Sequence, residues 1–90
     1  MTTTRETISN WFDAGLEYAN GGWLIIVTDT FEWEEYPVFV ENNVTVFWEK
    51  YDHYNGKNMQ KVMEVYDLKA DKETQINSNR NWNMPERITA

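Results

Sequence analysis

The segment "WLIIVTDTFEWEEYPVFV", residues 23–40, decides the fold of this chain. Its first part, residues 23–30, opens with an apolar run that does not alternate with polar residues, which is typical of a central strand buried on both faces. The second part, "YPVFV" at residues 36–40, predicts another strand. Pro37 places that strand at a sheet edge, or at its start, because proline cannot donate to a β-ladder. The intervening residues 31–35, "FEWEE", predict a wide loop that joins an antiparallel pair.

A helix is predicted before this segment, from about residue 4 to residue 19. Thr3 and Glu6 fit a capping box, and Asn20-Gly21-Gly22 ends the pattern. Gly15 lowers helix stability by about 1 kcal/mol relative to alanine, which indicates close packing at that point. The apolar residues follow at helical spacing, namely Ile8, Trp11, Phe12 and Leu16.

Residues 44–54 permit two interpretations. "VTVFW" at residues 44–48 alternates as a strand does, and Asn42-Asn43 could form the turn of a hairpin. Asn43 is also a favourable helix cap, and Val44, Phe47, Trp48 and Tyr51 form a helical stripe. We favour the helix.

The rest of the chain predicts one more strand and one more helix. "QKVMEVYDL", residues 60–68, has the pattern of a strand, and residues 70–80 have that of a polar, weakly amphipathic helix. We therefore predict a single α+β domain over residues 1–90, with a three-stranded, mainly antiparallel sheet and the order α-β-β-α-β-α. Residues 81–90 are expected to form a partly ordered tail in which Trp82 docks on the domain. The core aromatics are expected to be Trp11, Phe12, Trp23, Phe47, Trp48, Tyr51 and Tyr66.

Composition excludes several classes of protein. Five Trp, five Tyr and four Phe are too much apolar material for a disordered chain. The absence of cysteine excludes disulfides, thiolate zinc sites and cysteine nucleophiles. The first ten residues lack the pattern of a signal peptide, and the longest apolar run is too short to cross a bilayer. We expect a cytoplasmic protein, in the host cell if a phage encodes it, that has no contact with membranes.

The net charge of −7 is concentrated in the first half of the chain. No Lys or Arg lies between Arg5 and Lys50, whereas nine acidic residues do. Such a surface repels phosphates, so direct binding to nucleic acid is not expected. It would instead attract a basic protein. The alternative is a solvated acidic face that has no partner.

The residues with catalytic or metal-binding side chains do not form a recognised motif. Asp29 ends an apolar strand, as in some magnesium sites, but no Lys or glycine-rich turn follows it. The favoured alternative is that Asp29 caps the loop in an Asx-type turn. Glu32, Glu34 and Glu35 lack the spacing of a calcium loop, and His53 lacks a nucleophile to serve. We expect no enzyme, no metal and no cofactor.

Three stretches resemble a family of short uncharacterised proteins encoded by phages, prophages and bacteria. They are "VTDTFEWEEYPVFV", "YNGKNMQKVMEVYDL" and the Asn-Arg-x-Trp at residues 79–82, and together they span residues 23–82. The resemblance implies a setting in mobile genetic elements, and it supports a helix between the second and third strands. It implies no active site.

The loop aromatics Phe31, Trp33 and Tyr36 are the candidates for a partner-binding site. A loop rarely carries large aromatic side chains unless it packs them on the domain or offers them to a partner, and both alternatives remain open here. If these rings are exposed, the acidic side chains around them form an electronegative rim. The predicted partner-binding residues are Asp29, Phe31, Glu32, Trp33, Glu34, Glu35, Tyr36 and Glu41.

These observations predict a small acidic interaction protein from a mobile element. It would occupy a basic surface of a host nucleic-acid-handling protein, as inhibitors of the anti-CRISPR or anti-restriction type do. One alternative is a homodimer or larger homo-oligomer that buries Trp33 and Trp48 between subunits. A less favoured alternative is a small enzyme or ligand binder that uses Asp29.

Overall fold

The computed structural model describes residues 4–18, 21–56, 59–77 and 81–86. It confirms the predicted α+β class, the three-stranded antiparallel sheet and the order of the elements. The elements are α1 (Arg5–Tyr18), β1 (Trp23–Asp29), β2 (Glu34–Val40), α2 (Val44–Tyr54), β3 (Gln60–Asp67) and α3 (Lys72–Ile76).

Strand β1 is the centre of the sheet, whose order is β2-β1-β3, and it pairs antiparallel with both neighbours. Residues 23–28 are buried, as the unbroken apolar run predicts. Pro37 lies opposite Ile26 in the edge strand β2, in agreement with its inability to donate to a ladder.

Helices cover both sides of the sheet, and alternate residues of β1 supply two cores. Leu24 and Ile26 face α1 and α3, while Ile25 and Val27 face α2. We call these the α1 side and the α2 side. The α1 side also buries Ile8, Phe12, Tyr66, Leu68 and Ile76, and the α2 side buries Trp23, Val38, Val40, Phe47, Val62 and Val65. All seven predicted core aromatics are buried or packed against one of these cores.

Residues 44–54 form a helix, so the favoured interpretation is confirmed and the strand alternative is wrong. The Asn43 side chain accepts a hydrogen bond from the Val46 N–H at 3.1 Å and caps the first turn. Phe47 is fully buried, with its ring centroid 5.2 Å from that of Trp23. The apolar stripe of α2 is therefore what covers this side of the sheet.

The Thr4 side chain caps the first turn of helix α1. The Thr7 N–H donates to Thr4 Oγ1 at 3.1 Å, whereas Thr3 lies outside the described residues. Gly15 permits the close packing expected of it. A Cβ there would lie 3.0 Å from Leu68 Cδ1 and 3.1 Å from Phe39 Cδ1, so even alanine would require these two side chains to shift by a few tenths of an ångström.

Helix α3 is shorter than the predicted segment of residues 70–80. Asp71 caps it by accepting from the Thr74 N–H at 2.9 Å, and Asn77 is its C-cap. Asparagine and serine favour caps and turns over helix interiors, and "NSN" follows Ile76 directly. The remaining predicted helical residues, 78–80, lie outside the described part.

The described part of the tail, residues 81–86, adds hydrogen bonds to the outer edge of β3. The Val65 N–H donates to the Asn81 carbonyl at 2.8 Å, and the Asn83 N–H donates to the Val65 carbonyl at 3.0 Å. Trp82 forms an isolated parallel bridge with Val65. Trp82 is 42% exposed, so this segment is joined to the domain by backbone pairing and by the side-chain amides of Asn81 and Asn83, which donate to Gln75 Oε1 at 3.1 and 2.8 Å.

Candidate functional site

The connection between β1 and β2 is a four-residue turn, residues 30–33, and not the wide loop predicted for residues 31–35. Glu34 and Glu35 belong to β2 because they pair with Asp29 and Thr28. The Trp33 N–H donates to the Asp29 carbonyl at 2.6 Å and closes the turn. We call residues 30–33 the tip.

The Asp29 carboxylate caps the tip. Its Oδ1 accepts from the N–H of Phe31 at 2.8 Å and from that of Glu32 at 3.4 Å, which is the geometry of an Asx-type turn. The favoured interpretation of Asp29 is thereby confirmed. Its carboxylate orders the backbone that presents the neighbouring side chains.

The tip exposes two large aromatic side chains. Phe31 is 72% exposed and Trp33 is 65% exposed. The alternative in which Trp33 packs into the core is therefore wrong. Trp33 also has a φ of 58°, in the left-handed region that a bulky residue rarely adopts. The turn thus holds a strained aromatic residue with its ring exposed.

Exposed acidic residues are the chain neighbours of these two aromatic residues. Glu32 is in the tip and Glu34 begins β2, and both are exposed. Glu34 lies directly opposite Asp29 in the sheet register. Like charges placed opposite one another destabilise a pair of strands. This end of the sheet therefore combines acidic and aromatic surface at some cost to the stability of the hairpin.

Two other predicted site residues lie apart from the exposed acids and aromatics. The Glu35 side chain points to a different face of the sheet, and Glu41 lies at the other end of β2. By the alternation of the strand, Glu35 faces the α1 side, in one row with Thr28 and Lys61. The acidic first half of the sequence therefore has a basic side chain near it in the folded domain, because β3 brings the exposed Lys61 to this row. Glu41 follows the other end of β2, about 23 Å from Glu34 at 3.3 Å per residue.

Tyr36 is half-buried and supports the hairpin from the α2 side. The Gln60 side-chain amide donates to its hydroxyl across β1, and the ring of Tyr54 packs edge-on with centroids 6.3 Å apart. Burial raises the pKa of Tyr36, and the neighbouring Tyr54 and Asp29 raise it further. Tyr36 is therefore a supporting residue that leaves only part of its ring accessible.

Met59, which no sequence motif marks as a site residue, lies at the same end of the sheet. Its carbonyl accepts from the Thr30 N–H at 2.7 Å, and its side chain is 57% exposed. Like Trp33, it has a left-handed backbone, with a φ of 60°. The one available signal is a single large apolar residue in the polar stretch "NGKNMQK".

The remaining chemical candidates do not converge on a site. His53 is exposed in the last turn of α2, with its ring 4.8 Å from that of Tyr54. Within residues 4–18, 21–56, 59–77 and 81–86, no three His, Asp or Glu side chains lie where they could hold a metal ion. An open groove of about 240 Å³ between α1 and α3 does not include Asp29. It is lined by Ser9, Lys72, Glu73, Ile76 and Asn77.

None of the helices in the described part of the chain is long and apolar enough to cross a membrane.

Comparison of the chain with protein-family models, with curated proteins and with solved structures found no match.

Proposed function

We propose that this chain is a small acidic interaction protein that binds a basic surface of another protein through its β1–β2 tip. The observation that carries the proposal is the exposure of Phe31 and Trp33 beside the exposed carboxylates of Glu32 and Glu34. Of the eight predicted partner-binding residues, these four are therefore proposed to contact the partner. Tyr36 and Asp29 shape the turn.

The two kinds of side chain would contribute differently to binding. Carboxylates attract and orient a basic partner, which mainly raises the association rate and weakens as salt is added. Aromatic rings that lose water at an interface supply much of the binding energy. Phe31 and Trp33 are positioned to do this, because most of each ring is exposed before binding.

The cost of the tip to folding also supports a role in binding. Left-handed backbone at Trp33 and facing acids at Asp29 and Glu34 both oppose folding. Because the Phe31 and Trp33 side chains are mostly exposed, they also add little to the stability of the domain. Proteins keep such local conflicts most often at functional sites.

The partner class follows from the sign of the charge. Carboxylates on a rigid hairpin can occupy Arg and Lys positions that otherwise bind phosphates. We infer that the partner is a nucleic-acid-handling protein of the host and that this chain inhibits it, as anti-CRISPR or anti-restriction proteins do. The net charge of −7 and the resemblance of residues 23–82 to short phage and prophage proteins support this inference.

The test compares two variants of equal charge. The tip variant is Glu32→Lys with Glu34→Lys, and the control variant is Glu17→Lys with Glu41→Lys, both of which are exposed outside the tip. Each immobilised protein is incubated with a bacterial lysate at low and high salt, and captured proteins are identified by mass spectrometry. Duplex DNA is then added as a competitor.

We expect the wild type and the control variant to retain a basic, nucleic-acid-binding protein that salt and DNA both release. The tip variant should fold, because exposed charges contribute little to stability, and should lose that protein. Equal capture by the two variants would show that Glu32 and Glu34 are only solvated surface. If light scattering instead shows a dimer of wild type that Trp33→Ala makes monomeric, the homo-oligomer is the better account.

A further inference from the structure

The two non-glycine residues with left-handed backbone in the described part of the chain are Trp33 and Met59. Each is also a large apolar residue with more than half of its surface exposed. Strain of this kind persists where the surrounding structure imposes it, and it clusters at sites of function. The coincidence of strain and apolar exposure at both positions therefore indicates a shared role.

The sheet register places these two residues at one end of the domain. Asp29 lies between Glu34 on one neighbouring strand and Gln60 on the other, and Met59 directly precedes Gln60. The hydrogen bond from the Thr30 N–H to the Met59 carbonyl then ties Met59 to the tip. Phe31, Trp33 and Met59 therefore border one composite surface.

The charges around this surface restrict what can cover it. Exposed Glu32 and Glu34 are chain neighbours of the two aromatic residues, and Lys61 faces the α1 side with Glu35. A purely ionic partner would satisfy the carboxylates but leave three large apolar side chains in water. A purely apolar partner would desolvate the carboxylates without compensation.

We propose that Met59 is a third apolar anchor of the binding surface and that the occupant is a basic amphipathic segment of a partner protein. Such a segment carries an apolar stripe flanked by Lys or Arg. Methionine suits this role because its flexible thioether side chain adapts to irregular apolar surfaces. This proposal rests on the proposed function and adds to it a residue outside the tip and the pattern that the partner must present.

The test uses two synthetic peptides of equal charge. One is a helical peptide with a leucine stripe flanked by lysines, and the other is an oligolysine. Binding is followed by NMR of protein labelled with ¹³C in the methionine methyl groups. Met63, which packs against the α1-side core, and the exposed Met84 serve as internal references.

We expect the amphipathic peptide to shift the Met59 methyl resonance saturably and to leave those of Met63 and Met84 in place. Met59→Gln should weaken its binding about fivefold or more, as loss of an anchor does, and Met84→Gln less than twofold. Glutamine keeps the length of the side chain and the left-handed strain, so the comparison isolates the loss of apolar contact. Oligolysine should bind more weakly and leave Met59 unshifted.

The outcomes separate this inference from the proposed function. If Glu32→Lys with Glu34→Lys weakens peptide binding while the Met59 methyl resonance does not shift and Met59→Gln leaves the affinity unchanged, Met59 is not an anchor. In that case the role proposed for the two acidic residues is retained. If both peptides bind equally, or neither binds while lysate capture still depends on the tip, the amphipathic occupant is wrong. If capture from the lysate does not depend on Glu32 and Glu34, the proposed function is wrong, and the inference about Met59 that rests on it is wrong as well.

Discussion

The main-chain N–H of Thr30 donates to the carbonyl of Met59 across 2.7 Å, and it joins the β1–β2 turn to the residue that precedes β3. The acceptor Met59 has a left-handed backbone, and so does Trp33, three residues after the donor Thr30. The end of the sheet is therefore one surface built from two connections that lie far apart in the sequence. Its side chains contribute little to the core, so their identity can be changed without unfolding the domain.

Trp33→Asn should leave the free energy of unfolding within about 0.5 kcal/mol of the wild-type value. Asparagine tolerates the left-handed backbone that tryptophan adopts there under strain, and this gain offsets the loss of a largely exposed ring. Urea unfolding followed by circular dichroism provides the measurement. Trp23→Asn, at a buried tryptophan of β1, is the control and should prevent folding. A loss at Trp33 above about 2 kcal/mol would mean that its ring packs on the domain.

Gly22→Ala should destabilise the domain by about 3 kcal/mol. A Cβ on Gly22 would lie 1.8 Å from the Val40 carbonyl oxygen, and backbone atoms cannot move aside as a flexible side chain can. Gly56→Ala is the control, since nothing lies within 4 Å of its Cβ position. Its φ of 81° should cost about 1 kcal/mol. If the two variants lose equal amounts of unfolding free energy in urea melts, the backbone around Gly22 can move to admit a Cβ.

Ile25→Ala should cost about 2–5 kcal/mol and Ile25→Val about 0.5–1.5 kcal/mol. Ile25 has no exposed surface and lies in the α2-side core. The loss should therefore grow with the volume of the cavity that each substitution leaves. If the alanine variant fails to fold, the valine variant still gives the measurement. A valine variant as stable as the wild type would show that Ile25 is not tightly packed in the core.

Stability should fall in alkaline solution because of Tyr66. Burial raises the pKa of its hydroxyl, and the hydrogen bond to Glu64 Oε1 at 2.7 Å raises it further, while Arg5 partly opposes both. The unfolded chain loses the Tyr66 proton near pH 10 while the folded chain still holds it. The stabilisation is thus complete below about pH 10 and is lost as pH rises toward the raised pKa.

Tyr66→Phe is the matching variant, because phenylalanine cannot ionise. Urea midpoints measured from pH 8 to pH 11 should fall more steeply for the wild type than for the variant, although the variant should start lower because it lacks the hydroxyl contacts with Glu64 and Arg5. Parallel slopes would show that Tyr66 ionisation is not linked to unfolding.

Several elements could be predicted because their signals are local. The apolar run from Trp23 specifies a strand buried on both faces, and Pro37 specifies an edge. The stripe from Val44 to Tyr51 with the Asn43 cap specifies α2. Side-chain periodicity and caps act within a few residues, so they are present in the sequence itself. The Asx-type role of Asp29 is local in the same sense.

Other features depend on contacts between distant parts of the chain. β3 carries an extra residue where its register with β1 shifts, between Ile26 and Val27, and Val62 and Val65 therefore face the same side although they are three residues apart. No periodicity encodes that shift, because the pairing with β1 imposes it.

The sequence by itself determined that an acidic, aromatic stretch connects two strands of an α+β domain. Only the tertiary structure decided that Phe31 and Trp33 are exposed and that Met59 joins the surface. The physical reason is that exposure belongs to the assembled domain. A side chain at the tip is exposed or buried according to which distant element packs there, and α2 and α1 cover the faces of the sheet while leaving this end open to solvent.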